Sequence, residues 1–330
     1  MKSKTLWISA AALAGAAIFA YTRLEAPAEA PIRDTASPAA VENAAGDGHP
    51  DRSVSGPASA FDESRYEDTS VPEFDINGLT HYQDLLDQLG IDRDWDQWAR
   101  ERGLVVLLEP DRWQVYVAMD EAELRSLAEA GDALAEFAVT QKLMLDRPLE
   151  AYDRIRLLVL EGSVEAMDMM QHQLAIIGQG LELPGAGYDW SDETVAGMKR
   201  FIDESEMDLR TERMAWTLLS EVYMGQPRGS TLAQDPDLGT APGVLPIEYG
   251  AACARARQLR DELLETWAEN AVDEPSIEAP PIGFVSLSQD PDLLAACPSS
   301  ELPLADLSEC QPIRLRFEGT VWSDYVCARP

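Results

Sequence analysis

The chain has 330 residues, 26 basic against 59 acidic, for a net charge of -33, with 45% hydrophobic and 7% aromatic content. That is enough apolar material for one or two domains with a core. The charge repels phosphate, which argues against sequence-independent binding to nucleic acid and against adhesion to an anionic membrane surface.

Lys2 and Lys4 precede sixteen uncharged residues, Leu6 to Tyr21. This length falls between a signal-peptide core of roughly 7–15 residues and the roughly 20 that span a bilayer. Residues 1–23 therefore read as an export signal, either cleaved or retained as a membrane anchor. Either way the bulk of the chain is expected in the periplasm or elsewhere outside the cytoplasm, touching a membrane only through this segment. Residues 24–71 are Ala, Pro, Ser, Gly and acids with few large apolar groups, the composition of a disordered linker.

Residues 72–270 read as a helical domain. "HYQDLLDQLGIDRDWDQWARERG", with Trp98 and Gly103, has the form of a degenerate first helical hairpin. "RGLVVLLEPDRWQVYVAM" departs from helix. Leu104 to Leu108 is a short apolar run, Glu109-Pro110-Asp111 a turn, and Trp113, Val115 and Val117 alternate, so either a small β-hairpin or an extended connector is expected.

From Leu124 the apolar spacing is helical on both sides of Gly131, and the plan recurs 31 residues later. Ile155 stands for Leu124, Leu158 for Leu127, Gly162 for Gly131, Ala166 for Ala135 and Leu174 for Leu143. Glycine ends one helix, Asp132 or Ser163 caps the next, and a small Ala at 135 or 166 lets the paired helices approach. Such hairpins bury their apolar faces only by stacking on neighbours. "SDETVAGMKRFIDES" and "TERMAWTLLSEVYMG" read as a third pair and Pro246 to Asn270 as a last helix.

At "LAEAGDALAEFAV" and "LVLEGSVEAMDMM" the chain resembles the Sel-one-like repeats, short relatives of the tetratricopeptide repeat, over about Asp120 to Gly178. The resemblance implies a short α/α helical-repeat solenoid of two to four pairs. It also implies a platform for binding other proteins, without catalytic chemistry of its own.

The segment Gly225 to Leu245 is longer than the roughly 12–15 residues usual for a connection, which marks it as a candidate binding loop. Its "QDPDL" recurs at Gln289 to Leu293, so Asp235, Asp237, Asp290 and Asp292 offer oxygens for calcium, although Asp-Pro-Asp is foremost the chemistry of a turn. Residues 271–330 hold three of the four cysteines, and an even number in an exported chain points to two disulfides. If "QPIRLRF" and "TVWSDYVC" are hairpin arms joined by Glu318-Gly319, Phe317 pairs with Thr320 and Cys310 falls opposite Cys327 at a non-hydrogen-bonded position. Cys253 and Cys297 then pair by elimination.

No hydrolase elbow, phosphate loop, zinc-protease pair or dinucleotide fingerprint occurs in the sequence. Asp203 with Glu206 reads as a solvated helix face, His172 as a packed or surface histidine, and Met167, Met169 and Met170 as core. No catalytic, cofactor-binding or metal-binding residue is assigned, and no cofactor is expected. The expectation is a mainly α, exported, monomeric protein with a small disulfide-linked C-terminal β-hairpin region packed on the repeats. Its role is that of an interaction scaffold for an unidentified envelope protein or peptide. The competing expectation is a carboxylate-dependent enzyme or binder acting on cell-wall glycan.

Overall fold

The structure, a computed structural model, describes residues 73–75, 82–89, 94–182, 188, 190–225, 246–277, 282–284, 296–298, 302–303, 310–317 and 320–327. The export signal, the linker, His49, His81, most of the Gly225 to Leu245 segment and the four "QDPDL" aspartates lie outside the described residues. The elements in chain order are β1 (Glu73–Asp75), α1 (Tyr82–Leu89), α2 (Trp95–Arg100), α3 (Val105–Leu108), α4 (Pro110–Ala118), α5 (Glu121–Glu129), α6 (Ala133–Asp146) and α7 (Pro148–Leu160). They continue with α8 (Val164–Glu182), α9 (Asp192–Ser205), α10 (Leu209–Tyr223), α11 (Pro246–Glu269), β2 (Ile282–Phe284), β3 (Cys310–Phe317) and β4 (Thr320–Cys327).

The repeated turn has one chemistry. Gly131 N donates to Ala128 O and Asp132 N to Leu127 O, and 31 residues on Gly162 N donates to Val159 O and Ser163 N to Leu158 O. These bonds satisfy the last carbonyls of each helix and require a left-handed residue, here glycine at φ +91° and +90°. The next helix starts at once: Asp132 accepts from Ala135 N at 3.1 Å and Ser163 Oγ from Ala166 N at 3.3 Å. Ala135 and Ala166 are fully buried, as close packing of the paired helices demands.

Residues 105–118 form neither a β-hairpin nor an extended connector but the two short helices α3 and α4. Pro110 sits in the first turn of α4, where its missing N–H costs nothing and its fixed φ suits the helix. Helical spacing then buries Tyr116 and half-buries Trp113 and Val117, while Val115, part of the apparent alternation, is 56% exposed.

Hairpins α5–α6 and α7–α8 stack, with α6 against α7. Beyond them the order changes. α10 packs on α8 and α11 and does not take its expected place beside α9. Glu212 of α10 meets Arg255 of α11, and Tyr223, eleven residues further along α10, meets Trp267, twelve further along α11. These two helices therefore run parallel. The end of α10 therefore stands about 30 Å, at 1.5 Å per residue, from the start of α11, which is a geometric reason for the length of the connection between them. α11 also returns to α7, where Trp267 Nε1 donates to Val159 O at 3.0 Å. α7, α8, α10 and α11 thus surround one core.

The C-terminal hairpin has the expected register, Phe317 opposite Thr320 and Cys310 opposite Cys327, while its Glu318-Gly319 loop lies outside the described residues. Cys310 is bonded to Cys327, and the Cα–Cα separation of 4.1 Å is that of a close non-hydrogen-bonded pair. Cys253 of α11 is bonded to Cys297. The hairpin is the centre of a four-stranded sheet of order β1-β3-β4-β2, with β1 parallel to β3 and β2 antiparallel to β4. Ile313, Leu315, Val326, Cys297 and Leu302 join the same core as the helices. Among the described residues no helix is long and apolar enough to cross a membrane.

Candidate functional site

The two ends of the four-helix body are built differently. At the first, where α7 ends and α8 begins, Arg102 is fully buried. Its Nε donates to Tyr223 O at 2.9 Å and a terminal nitrogen to Trp98 O at 3.0 Å, and its guanidinium lies 4.3 Å from the Trp98 ring centroid. The cation takes up carbonyls at the ends of α2 and α10, which are helix C-termini and hence partly negative. Arg102 O in turn accepts from Val164 N at the start of α8, and Gly103 O accepts from Ser163 Oγ. Tyr223 OH and Arg260 both bond Glu274, at 3.0 and 2.7 Å, which leads the chain after α11 across the same end.

Glu165, in the first turn of α8, belongs to this end. The residue is half-buried with its carboxyl turned inward, and Oε2 accepts from Val106 N at 3.1 Å, capping α3. Desolvation pushes its carboxyl up to about 8, despite the bonds from Val106 and Val105, with the Asp168 charge adding to the rise.

At the opposite end, where α7 begins and α8 finishes, the cover is α9. The Trp190 ring lies against Gly180, where a Cβ would stand 1.7 Å from Cζ3, and its Nε1 donates to Leu145 O at the end of α6. Tyr188 stacks on Trp190 with centroids 4.6 Å apart, and its hydroxyl donates to Gln179. α9 itself rests on α8 and, through Phe201 edge-on to Tyr152 at 5.0 Å, on α7. Tyr152 is buried; desolvation and then the charge of Glu212 push its hydroxyl up. Glu212, itself buried, is held bidentately by Arg255 at 2.7 and 3.2 Å.

Along the flank of α4 to α7 runs an ionic network. Arg125 bridges Glu121 and Glu150, Arg147 bonds the same two acids, and Arg154 reaches Glu136. Arg147 first and Arg125 second hold the Glu121 carboxyl low. Asp132 is also low: desolvation opposes this, but Tyr116 OH at 2.6 Å, the Ala135 amide and Arg112 outweigh it. Such partly exposed surface pairs each contribute about 0–1 kcal/mol, so the network chiefly fixes how neighbouring hairpins sit.

The residues singled out from sequence fall mostly in structural roles. Gly131, Ala135, Gly162 and Ala166 form the two turns, and Gly162 also faces Val272 after α11. Met167, Met169 and Met170 are core, and half-buried His172 bonds Asp168 O through Nδ1 at 2.9 Å. Asp203 and Glu206 are exposed at the end of α9. Among the described residues no group of three or more His, Cys, Asp or Glu could hold a metal ion. Sequence reasoning missed Arg102, Tyr152, Phe201 and the Glu212–Arg255 pair. Their partners lie 4 to 121 residues away, and no local pattern marks them.

The molecule is a mainly helical protein with a disulfide-bonded C-terminal hairpin. Compared with protein-family models, with curated proteins and with solved structures, the chain matches none.

Proposed function

We propose that this is an exported protein of the Sel-one-like repeat kind, whose stacked helical hairpins form a docking platform for another protein or peptide of the cell envelope. The observation that carries the reading is the turn built twice at a 31-residue interval, with the same bonds at Gly131–Asp132 and Gly162–Ser163. Repeated hairpins of this type present broad surfaces and are used as interaction modules. The two disulfides support a compartment that is oxidising, as export through residues 1–23 requires. The chain acts as a monomer, kept dispersed by its charge of -33, and carries no resident cofactor.

The test is affinity capture from detergent-solubilised envelope with the full, disulfide-bonded chain, beside a variant in which residues 226–245 are replaced by a Gly/Ser linker of the same length, because α10 and α11 need that span. One dominant protein retained at moderate salt is expected, and its loss from the replaced variant would put that segment in the interface. A folded chain that retains nothing specific overturns the platform. The competing reading, a carboxylate-dependent enzyme or binder acting on cell-wall glycan, draws on Glu165, since a carboxyl raised to about 8 can serve as a general acid near neutrality. Release of soluble fragments from cell-wall material by the wild type, lost in Glu165→Gln, would move the assignment there.

A further inference from the structure

α9 stands apart from the other long helices. Of its fourteen residues Met198 alone is fully buried, whereas α10, one residue longer, buries eleven. Met198, like Ile177 of α8, lies outside the contiguous core that joins the other helices and the sheet. Val195, Phe201 and Ile202 are half-buried, so the inward face of α9 is a narrow stripe at i, i+3, i+6 and i+7. The surface beneath it belongs to the main body: Tyr152 meets Phe201, and Leu149 Cδ1 stands 3.7 Å from where a Cβ on Gly197 would be. At its C-terminal end α9 is followed by Glu206, a non-glycine residue in the left-handed region at φ +50°.

Charge adds a second argument. α9 carries Asp192, Glu193, Asp203 and Glu204 against Lys199 and Arg200, an acidic helix laid on a chain of charge -33. A basic helix with the same apolar stripe would fill the same surface and relieve repulsion that α9 adds to.

We propose that the face beneath α9, formed by Leu149 and Tyr152 of α7 with the adjoining surface of α8, is a docking groove for a basic amphipathic helix. α9 is its resident occupant and opens as a lid when the partner helix takes its place. This mode of recognition is helix-in-groove, with apolar anchors at i, i+3 or i+4, and i+7. The proposal rests on the platform reading and names the part of the platform that binds.

The test uses the full, disulfide-bonded chain and a fluorescein-labelled synthetic peptide of residues 191–206 carrying Asp203→Lys and Glu204→Lys. These changes place basic groups in the last helical turn, where the helix dipole favours them, and leave Asp192 and Glu193 at the start. Hydrogen exchange is expected to show α9 amides at least tenfold faster than those of α10. Phe201→Ala loosens the lid without touching the groove, and is expected to bind the peptide at least tenfold more tightly than wild type, because apparent affinity scales with the open fraction. Met198→Ala should act the same way, and the unsubstituted acidic peptide should bind more weakly than the basic one.

Exchange of α9 only in step with α10 overturns the lid. Failure of both loosened variants to bind the basic peptide while α10 protection is intact overturns the groove, and equal binding of both peptides overturns the basic partner. The envelope capture does not depend on α9 moving. Capture without peptide binding therefore removes the groove and leaves the platform, and peptide binding without capture removes the envelope partner and leaves the groove.

Discussion

The two ends of the four-helix body both spend side chains on neighbouring backbone carbonyls, Gln173 on Pro148 at the second, but they differ in what closes them. One is locked by buried polar groups spent on the backbone carbonyls of neighbouring elements: Arg102 on Tyr223 and Trp98, and Trp267 on Val159. The other is covered by a helix with a single fully buried side chain, an aromatic strap and a solvent-facing acidic surface. A buried cation satisfied by carbonyls has no cheap alternative arrangement, whereas a narrow apolar stripe can be exchanged for another of the same spacing. Rigidity at one end is what allows a replaceable cover at the other without loss of the fold.

The largest break in this contrast is expected from Arg102→Met. The substitution keeps much of the apolar stem and orphans the two carbonyls, each a buried acceptor costing about 1–3 kcal/mol when unpaired. A loss of about 3–5 kcal/mol follows, or on the order of 10 °C in Tm for a body of this size. Urea denaturation followed by far-UV circular dichroism checks it, and α10 should lose hydrogen-exchange protection before α6. A variant within 1 kcal/mol of wild type would show that the locked end is not locked by this residue.

The same end is expected to be sensitive to pH through Glu165. Its carboxyl is raised from an ordinary 4.5 to about 8 in the folded chain, so folding favours the protonated form. Stability from this group is fully present below about pH 4.5 and is lost as pH rises through about 8. On the order of 2–4 kcal/mol is at stake, and Glu165→Gln should flatten the decline of Tm between pH 5 and 8.5. Glu121, Asp132 and Glu150 are held low and act in the other sense, contributing above their unfolded values and losing that contribution as pH falls. Wild type should therefore be most stable somewhat on the acid side of neutrality, and Glu165→Gln should shift that maximum upward.

At the covered end, Gly180→Ala probes the strap. The added Cβ would stand 1.7 Å from Trp190 Cζ3, so the ring must leave its place and give up its bond to Leu145 O. Because the obstruction is the far end of a side chain, the expected cost is about 1 kcal/mol, within the range of overpacking and a lost hydrogen bond. The signature is a red shift in Trp190 fluorescence, isolated by Trp190→Phe as the control, with faster exchange in α9 and none in α10.

What the sequence disclosed follows the same division. Helical turns that close within a few residues leave a local signature, so Gly131–Asp132 and Gly162–Ser163 could be found by eye, and the strand register placed Cys310 opposite Cys327. The segment 105–118 misled because Pro110 marks a turn and a helix start equally well, and because Val115 belongs by chance to an alternating pattern and faces solvent. β1 and β2, three residues each, carry too little periodicity to be recognised and owe their state to pairing with the hairpin. The parallel course of α10 and α11 and the bond from Arg102 to Tyr223 rest on partners 43 and 121 residues apart, where one sequence holds no signal.

The smallest effect, and the one that most directly sharpens the contrast, concerns the turn after α9. Glu206 N donates to Asp203 O and Met207 N to Ile202 O, the same pair of bonds that Gly131 and Gly162 make, but with glutamate in the left-handed region at φ +50°. A non-glycine residue there costs about 1 kcal/mol, partly offset by the greater unfolded freedom of glycine. Glu206→Gly is therefore expected to stabilise the chain by about 0.5 kcal/mol, against the usual trend of substitutions. If α9 is a lid, the gain falls on its closed state, so α9 exchange should slow about twofold while α10 is unchanged, and the loosened Phe201→Ala variant should bind the basic peptide about twofold more weakly when Glu206→Gly is added. If α9 is instead an ordinary part of the core, the same substitution slows exchange of α9 and α10 together, and the distinction between a fixed end and a replaceable one disappears.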